Sequence, residues 1–163
     1  MNTIIIYYSK SGKTKIVAKT LAKELGADII EIVDLKERDN LSSKFTASFD
    51  AFRENKTDIL PKTVDLDEYD VVYIGTPVWA GKAAPAIITI IDKLHLRNKD
   101  VILFSTMSSS GGESTNERMS QKVKMRGGRT VESFTLITKD KTTADIVEDT
   151  KGLINQLDLN LYK

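Results

Sequence analysis

The chain has 163 residues, enough for one well-packed domain and few for two. Its 24 Lys and Arg residues nearly balance 23 Asp and Glu residues, which argues against a nucleic-acid-binding protein with a basic face. Cysteine is absent and histidine occurs once, so the sequence excludes a disulfide framework and a thiolate nucleophile, and we expect no metal site.

The apolar runs are too short for a membrane-spanning helix. "TIIIYY" and "AIITII" each break within a few residues, and the chain enters a strand without the basic segment and apolar core of a leader peptide. We therefore expect a cytoplasmic protein without membrane association, formed by a single domain over residues 1–163.

Apolar strands alternate with helical patterns five times along the chain. The predicted strands are Thr3–Tyr8, Ala27–Val33, Asp70–Thr76, Asp100–Thr106 and Thr130–Thr138. The predicted helices are Lys13–Leu25, the stretch "APAIITIIDKL" with Pro85 in its first turn, a helix ending at Met125 with Ser114 and Glu117 as a capping box, and Thr143–Leu157. Strands one, three and four are continuous apolar runs, as in parallel strands covered on both faces. Right-handed crossovers then give an α/β, doubly wound, three-layer sandwich.

One connection, residues 34–69, is unusually long and mostly polar. Phe45, Phe49 and Phe52 recur at helical spacing within it and predict a helix near Phe45–Glu54. These phenylalanines either attach the segment to the domain or border a ligand site, and the sequence leaves both interpretations open.

The loop Ser9–Thr14, "SKSGKT", follows the first strand and precedes a helix. A nucleotide-binding P-loop needs a glycine where Tyr7 stands, and a dinucleotide-binding loop needs three spaced glycines where only Gly12 is present. Hydroxyl side chains, free backbone N–H groups and a helix dipole together favour an anion. The loop therefore predicts a site for one phosphate monoester, with an ordinary Ser/Thr-rich helix cap as the alternative.

Two further loops follow strands three and four. In "GTPVWAGKAAP", Trp79 offers a face for stacking while Gly75 and Gly81 leave room for a flat group, with packing of Trp79 on its own domain as the alternative. In "STMSSSGGES", small hydroxyl residues and two glycines suit a close backbone approach to a ligand edge. Because all three loops end strands beside one switch point, they predict a flat, phosphorylated cofactor.

These residues resemble a known family. Ser9-x-Ser11-Gly12-x-Thr14 is similar to the flavodoxin phosphate-binding motif, and "YIGTPVWAGKAAPAI" and "ILFSTMSSSGG" resemble the two loops that enclose the flavin ring in flavodoxin-like proteins. The resemblance covers essentially the whole chain and is to the short-chain type. It implies a five-stranded parallel sheet of order 2-1-3-4-5, one non-covalent FMN, and one- or two-electron transfer.

The resemblance also implies cofactor-binding residues. Ser9, Lys10, Ser11, Gly12, Lys13 and Thr14 would bind the FMN phosphate. Thr76, Pro77, Val78, Trp79, Ala80 and Gly81 would line one face of the ring. Thr106, Met107, Ser108, Gly111 and Gly112 would meet the pyrimidine edge and the ribityl chain. No catalytic residue and no metal ligand is assigned.

The chain departs from the family pattern in two respects. Many flavodoxins place a second aromatic residue in the loop after strand four, where this chain has Met107, so one flavin face is expected to be more open. Carrier flavodoxins are usually acidic, whereas Lys10, Lys13 and Lys82 lie near the expected site here. These lysines either raise the flavin potential or point into water with little effect.

Other classes of protein can be weighed against the same residues. A receiver domain needs acidic residues where Tyr8-Ser9 and Gly75-Thr76 stand, and a small thiol phosphatase needs a cysteine. We expect an FMN-binding electron-transfer protein that meets redox partner proteins as a monomer or weak dimer. The alternatives are a small FMN-dependent NAD(P)H:quinone-type reductase and an FMN-free interaction module. His95 follows a helix away from the expected site and is assigned a surface or capping role.

Overall fold

A computed structural model describes residues 1–38 and 56–163 of the chain. In these ranges the strands are β1 (Thr3–Tyr7), β2 (Asp28–Glu31), β3 (Val33–Asp34), β4 (Ile59–Leu60), β5 (Val71–Trp79), β6 (Lys82–Ala83), β7 (Asp100–Met107) and β8 (Arg129–Ile137). The α-helices are α1 (Lys13–Leu25), α2 (Pro85–Ile91), α3 (Gly112–Met125) and α4 (Thr143–Gln156). Two 3₁₀ helices span Leu35–Arg38 and Leu159–Leu161. The helix predicted near Phe45–Glu54 lies outside the described residues.

The main sheet has the order β2-β1-β5-β7-β8, and its strands pair in parallel. β1 is an interior strand: Ile5 pairs with Ile29 of β2 on one side and with Tyr73 of β5 on the other. This arrangement confirms the predicted three-layer α/β fold with strand order 2-1-3-4-5.

Alternating residues of the strands enter two separate cores. Ile4 and Ile6 of β1 belong to the cluster under α2 and α3, whereas Ile5 belongs to the cluster under α1 and α4. Burying each such side chain contributes about 1.5–3 kcal/mol. The need to fill both cores explains why the central strands are continuously apolar rather than alternating.

None of the helices in the described ranges is long and apolar enough to cross a bilayer.

The second strand is shorter than the predicted Ala27–Val33. β2 ends at Glu31, and Val33–Asp34 instead pairs antiparallel with Ile59–Leu60 in a separate two-stranded sheet. The Asp34 carboxylate holds this turn of the chain, because it accepts hydrogen bonds from the Thr57 hydroxyl at 2.9 Å and the Lys36 N–H at 3.0 Å. The chain therefore leaves the main sheet two residues earlier than its apolar pattern suggests.

The capping box predicted at Ser114 and Glu117 is wrong. α3 begins at Gly112, and its N-cap residue is Gly111, which has φ 93° and no side chain to cap the helix. Ser114 lies within the first turn, where its hydroxyl donates to the Gly111 carbonyl at 3.1 Å. Two glycines allow the helix to start earlier than a hydroxyl cap would.

Candidate functional site

The loops after β1, β5 and β7 meet at the carboxyl edge of the sheet. The hydroxyls of Thr14 and Thr106 lie 2.8 Å apart and join the first loop region to the end of β7. A Cβ atom built on Gly111 would lie 3.1 Å from a Val78 methyl and 3.3 Å from the Gly81 Cα, so the second and third loops are also in contact. The structure thus brings together the three segments that the sequence singled out.

The N-terminus of α1 is open. Its N-cap residue, Gly12, has φ 95° in the left-handed region and provides no side-chain cap. The Lys15 N–H donates to the Ser9 hydroxyl at 3.2 Å, but the N–H groups of Lys13 and Thr14 have no acceptor within residues 1–38 and 56–163. A Cβ built on Gly12 meets nothing within 4 Å, so there is room beside these donors. Free N–H groups at the positive end of a helix dipole form an anion-binding site.

The lysines of the first loop take different directions. The Lys13 ammonium donates to the Lys141 carbonyl at 3.0 Å, on the connection between β8 and α4. The Lys10 ammonium lies 5.7 Å from the centre of the Trp79 ring. Ser11 is exposed, and Ser9 is half-buried. Positive charge therefore lies on both sides of the open helix terminus, with Lys10 on the side of the aromatic ring.

Trp79 lies on a β-hairpin rather than in an irregular loop. β5 continues to Trp79, three residues beyond its predicted end at Thr76, and pairs antiparallel with β6. Ala80 and Gly81 form the turn with φ 49° and 73°, the pattern of a two-residue type I′ hairpin. Trp79 is half-buried, and its ring forms a T-shaped contact with the Tyr8 ring, with centroids 5.5 Å apart. A short hairpin and a buried tyrosine therefore fix the position of the aromatic ring.

Thr76 stabilises the start of the hairpin through its hydroxyl, and the strand pairing there is compatible with Pro77. The buried Thr76 hydroxyl donates to the Pro77 carbonyl at 2.8 Å and accepts from the Ala84 N–H at 2.9 Å. Pro77 pairs with Thr106 of β7, whereas the pairing of β5 with β1 ends at Gly75. The N–H that proline lacks is consequently not required by β1.

The third loop brings α3 close to β8. A Cβ on Gly112 would lie 2.5 Å from a Thr135 methyl and 3.0 Å from the Met107 sulfur, so only glycine fits there. Met107 also lines a cavity with residues of β8 and α4, but its sulfur lies on the side of the sheet that α3 covers, beside Gly112. Ser108 is exposed.

Gly75 does not leave room for a ligand, contrary to the sequence interpretation. A Cβ on Gly75 would lie 2.1 Å from the Phe104 ring, which occupies that space and stacks on Phe134 at 5.6 Å. Gly81, by contrast, has nothing within 4 Å of a built Cβ. The room predicted for a flat group is therefore found at Gly81 alone of these two glycines.

Two contacts of the site were missed by the sequence analysis: the support that Tyr8 gives to Trp79 and the link between Thr14 and Thr106. An aromatic residue directly before "SKSGKT" was the available signal for Tyr8. The pairing of hydroxyls 92 residues apart has no local signal.

Tyr7, at the end of β1, has its pKa raised by burial and by the nearby Glu31 carboxylate, so its phenol stays protonated. The exposed His95 lies between α2 and the start of β7, at the opposite edge of the sheet.

Within the described ranges, no group of three or more His, Asp or Glu side chains is arranged to hold a metal ion.

Fold and site together define a doubly wound α/β protein with an open helix N-terminus and an aromatic hairpin at the switch point of its sheet. Residues 2–148 match the family model described as flavodoxin. The chain belongs to the flavodoxin family.

Individual relatives share the fold at modest identity. A flavoprotein from Lactobacillus acidophilus NCFM, solved in complex with FMN, is 25% identical with a TM-score of 0.70, and the match covers 82% of this chain and 92% of that one. A Bacteroides eggerthii protein has a TM-score of 0.74 at 21% identity, covering 96% and 98% of the two chains. The uncharacterized protein MJ0298 of Methanocaldococcus jannaschii is 29% identical over 107 residues, 65% of this chain. The chain spans about half the length of that curated relative, 54%.

Proposed function

We propose that this chain binds FMN non-covalently and transfers electrons through it. The observation that carries this proposal is the open N-terminus of α1, with unpaired N–H groups on Lys13 and Thr14 beside the hydroxyl-rich loop Ser9–Ser11. A terminal phosphate supplies the acceptor oxygens that these donors lack. The FMN complex of the Lactobacillus acidophilus relative supports the choice of this phosphate ester.

The residues around the open terminus fit such a cofactor. Gly12 leaves space where the phosphate would lie, and Gly81 leaves space beside the hairpin that carries Trp79. The three segments are in contact, so a ligand of the length of FMN would reach from α1 to the hairpin. Trp79, which contacts Tyr8, would orient the flavin ring. The N-terminus of α3, which begins with glycine, would approach the edge of that ring.

When bound, FMN supplies the one- or two-electron chemistry, and the protein supplies binding, orientation and electrostatics. Lys10 would place positive charge near the ring, because its ammonium lies 5.7 Å from the Trp79 centroid. Positive charge stabilises a reduced, anionic flavin and raises its potential, an effect reduced by solvent and salt. We propose a cytoplasmic carrier that exchanges electrons with redox partner proteins as a monomer or weak dimer.

A small FMN-dependent reductase of quinone-like acceptors is the second candidate. It is favoured by the loop after β7, where Met107, with its sulfur beside Gly112 of α3, stands in place of the second aromatic residue of many flavodoxins. With no aromatic residue between Thr106 and Gly112, that loop does not supply a second ring to cover the flavin. An open face suits direct contact with a hydride donor or an acceptor.

The proposal is tested by titrating the flavin-free protein with FMN and riboflavin while following flavin fluorescence. We expect saturable binding of one FMN and weaker binding of riboflavin, because riboflavin lacks the phosphate. Absence of binding by both would favour an interaction module. Stepwise anaerobic reduction of the FMN-loaded protein then separates the candidates: two resolved one-electron steps support a carrier, and a single two-electron step with NAD(P)H oxidation supports a reductase.

A further inference from the structure

We propose that Thr106 is a positioning residue for phosphate recognition, acting through Thr14. The Thr106 hydroxyl donates to Thr14 and thereby directs the Thr14 proton to the anion site at α1. This assigns Thr106 to the phosphate end of the cofactor, whereas the family resemblance places it at the ring edge and ribityl chain. The inference rests on the proposed function.

The first argument is a count of protons. Thr14 and Thr106 are 1% and 3% exposed, and their oxygens are 2.8 Å apart with either atom able to donate. Each hydroxyl carries one proton, and the bond between them uses only one. The second proton finds no acceptor within the parts of the chain that the structure describes. Leaving a buried donor unpaired is unfavourable, so the pair is suited to meet an additional acceptor.

The second argument concerns the direction of the hydrogen bond between Thr14 and Thr106. Thr14 is the second residue of α1, beside the unpaired N–H groups of Lys13 and Thr14 itself. A phosphate dianion accepts hydrogen bonds and donates none. If Thr14 donated to Thr106, its own proton would be unavailable to the anion. If Thr106 donates, the Thr14 proton is free for a phosphate oxygen, and both buried protons are then used.

The third argument concerns rigidity. Thr106 pairs with Pro77 of β5 on one side and with Leu136 of β8 on the other, so its backbone is fixed by the sheet. Thr14 lies in the first turn of a helix whose N-cap is a glycine. The bond between the two hydroxyls therefore ties a helix terminus to a strand held on both sides, which keeps the donor directed at one point.

The test compares FMN and riboflavin binding to the wild type and to Thr106→Val, Thr106→Ser and Thr14→Val. Valine keeps the shape of threonine and removes the hydroxyl. We expect Thr106→Val to weaken FMN about fivefold to tenfold, and Thr14→Val about tenfold to 100-fold, because hydrogen bonds to charged groups are the stronger ones. Riboflavin binding should change by less than about twofold, and Thr106→Ser should restore FMN binding, since serine keeps the donor.

Two readouts separate positioning from a general structural role. In a Thr14→Val background, Thr106→Val should cause no further loss of FMN affinity, because Thr106 acts through Thr14. The phosphorus NMR shift of bound FMN should move in Thr106→Val and return in Thr106→Ser. The matched control is Thr150→Val in α4, a buried threonine whose hydroxyl donates to the Ile146 carbonyl at 2.7 Å, and it should leave both flavins unaffected.

Additive losses in the double variant, equal losses for FMN and riboflavin, or failure of serine to restore binding would each overturn the role of Thr106. Those results leave FMN binding by the wild type intact, so they do not touch the proposed function. A wild-type protein that binds neither flavin overturns the proposed function and this inference together.

Discussion

The helices α1 and α4 pack on the same face of the sheet but begin in opposite ways. α4 closes its own N-terminus: the Thr142 hydroxyl accepts from the Asp145 N–H at 3.1 Å, and the Asp145 carboxylate accepts from the Thr142 N–H at 3.0 Å. α1 begins after Gly12 with two N–H groups unpaired in the described chain. The cap of α4 satisfies donors at its own N-terminus, whereas under the proposed function the donors of α1 are satisfied by the phosphate.

The largest effect on FMN affinity is expected from a substitution that adds an acidic side chain at the N-terminus of α1. Ser11→Asp places a carboxylate beside the N–H groups that we assign to the phosphate. Repulsion between the two anions should lower FMN affinity on the order of 100-fold, with a much smaller effect on riboflavin. Binding titrations with both flavins measure this difference.

The matched control adds the same charge at the closed helix. Thr143 is exposed in the first turn of α4, and Thr143→Asp should leave both affinities unchanged. Equal losses of FMN and riboflavin in Ser11→Asp would place the phosphate elsewhere.

A second effect concerns the other end of the expected cofactor. Trp79→Ala removes the ring that contacts Tyr8 and Lys10, and we expect both FMN and riboflavin to bind about tenfold more weakly. The ratio of the two affinities should stay constant, because Trp79 is assigned to the ring and not to the phosphate. Trp79→Phe, which keeps an aromatic face, is the control. Unchanged affinity and unchanged reduction potential would remove Trp79 from the site.

A third, smaller effect lies at the closed helix. Thr142→Ala removes the N-cap of α4 and should lower the free energy of unfolding by about 1 kcal/mol, or Tm by about 3 °C. Flavin binding should be unaffected. Thr143→Ala, one residue further along, should leave Tm near that of the wild type, and thermal unfolding of the three proteins checks both statements.

The smallest effect is a pH dependence at the same cap. Hydrogen bonds from the backbone N–H and side chain of Thr142 hold the pKa of the Asp145 carboxyl below its ordinary value. A lowered folded-state pKa stabilises the protein above the unfolded-state value, near 4, and this contribution is lost as the pH falls through the folded-state pKa. Asp145→Asn should therefore reduce Tm at pH 6 and approach the wild type at lower pH. Parallel curves of Tm against pH for the two proteins would contradict this assignment.

The sequence predicted the layers and strands well because each strand and helix has a hydrophobic pattern that extends over many residues. Continuous apolar runs require burial on both faces, and crossover handedness leaves few topologies. The three loops that meet at the carboxyl edge were also predicted to lie together, because loops that follow neighbouring parallel strands share one edge of the sheet.

The details that escaped prediction depend on contacts distant in sequence or on weak local signals. Ala80-Gly81 is not among the strongest hairpin sequences, because alanine rarely adopts positive φ, so the extension of β5 was not expected. Gly75 was interpreted as space for a ligand, but Phe104 of the neighbouring strand fills it. Ser114 looked like a helix cap, yet Gly111 and Gly112 allowed an earlier start.

The separation of the two hydrophobic cores has a consequence for cooperativity. α1 packs into one core, whereas Trp79 packs against the other. Under the proposed function, a single FMN bound by the N-terminus of α1 and by the hairpin would contact elements of both cores and stabilise both. At 100 times its dissociation constant such a ligand adds about 2.7 kcal/mol to the free energy of unfolding. Amide hydrogens on the two sides of the sheet would then become more protected from exchange together. The cofactor would thus stabilise the fold as well as serve as its redox centre.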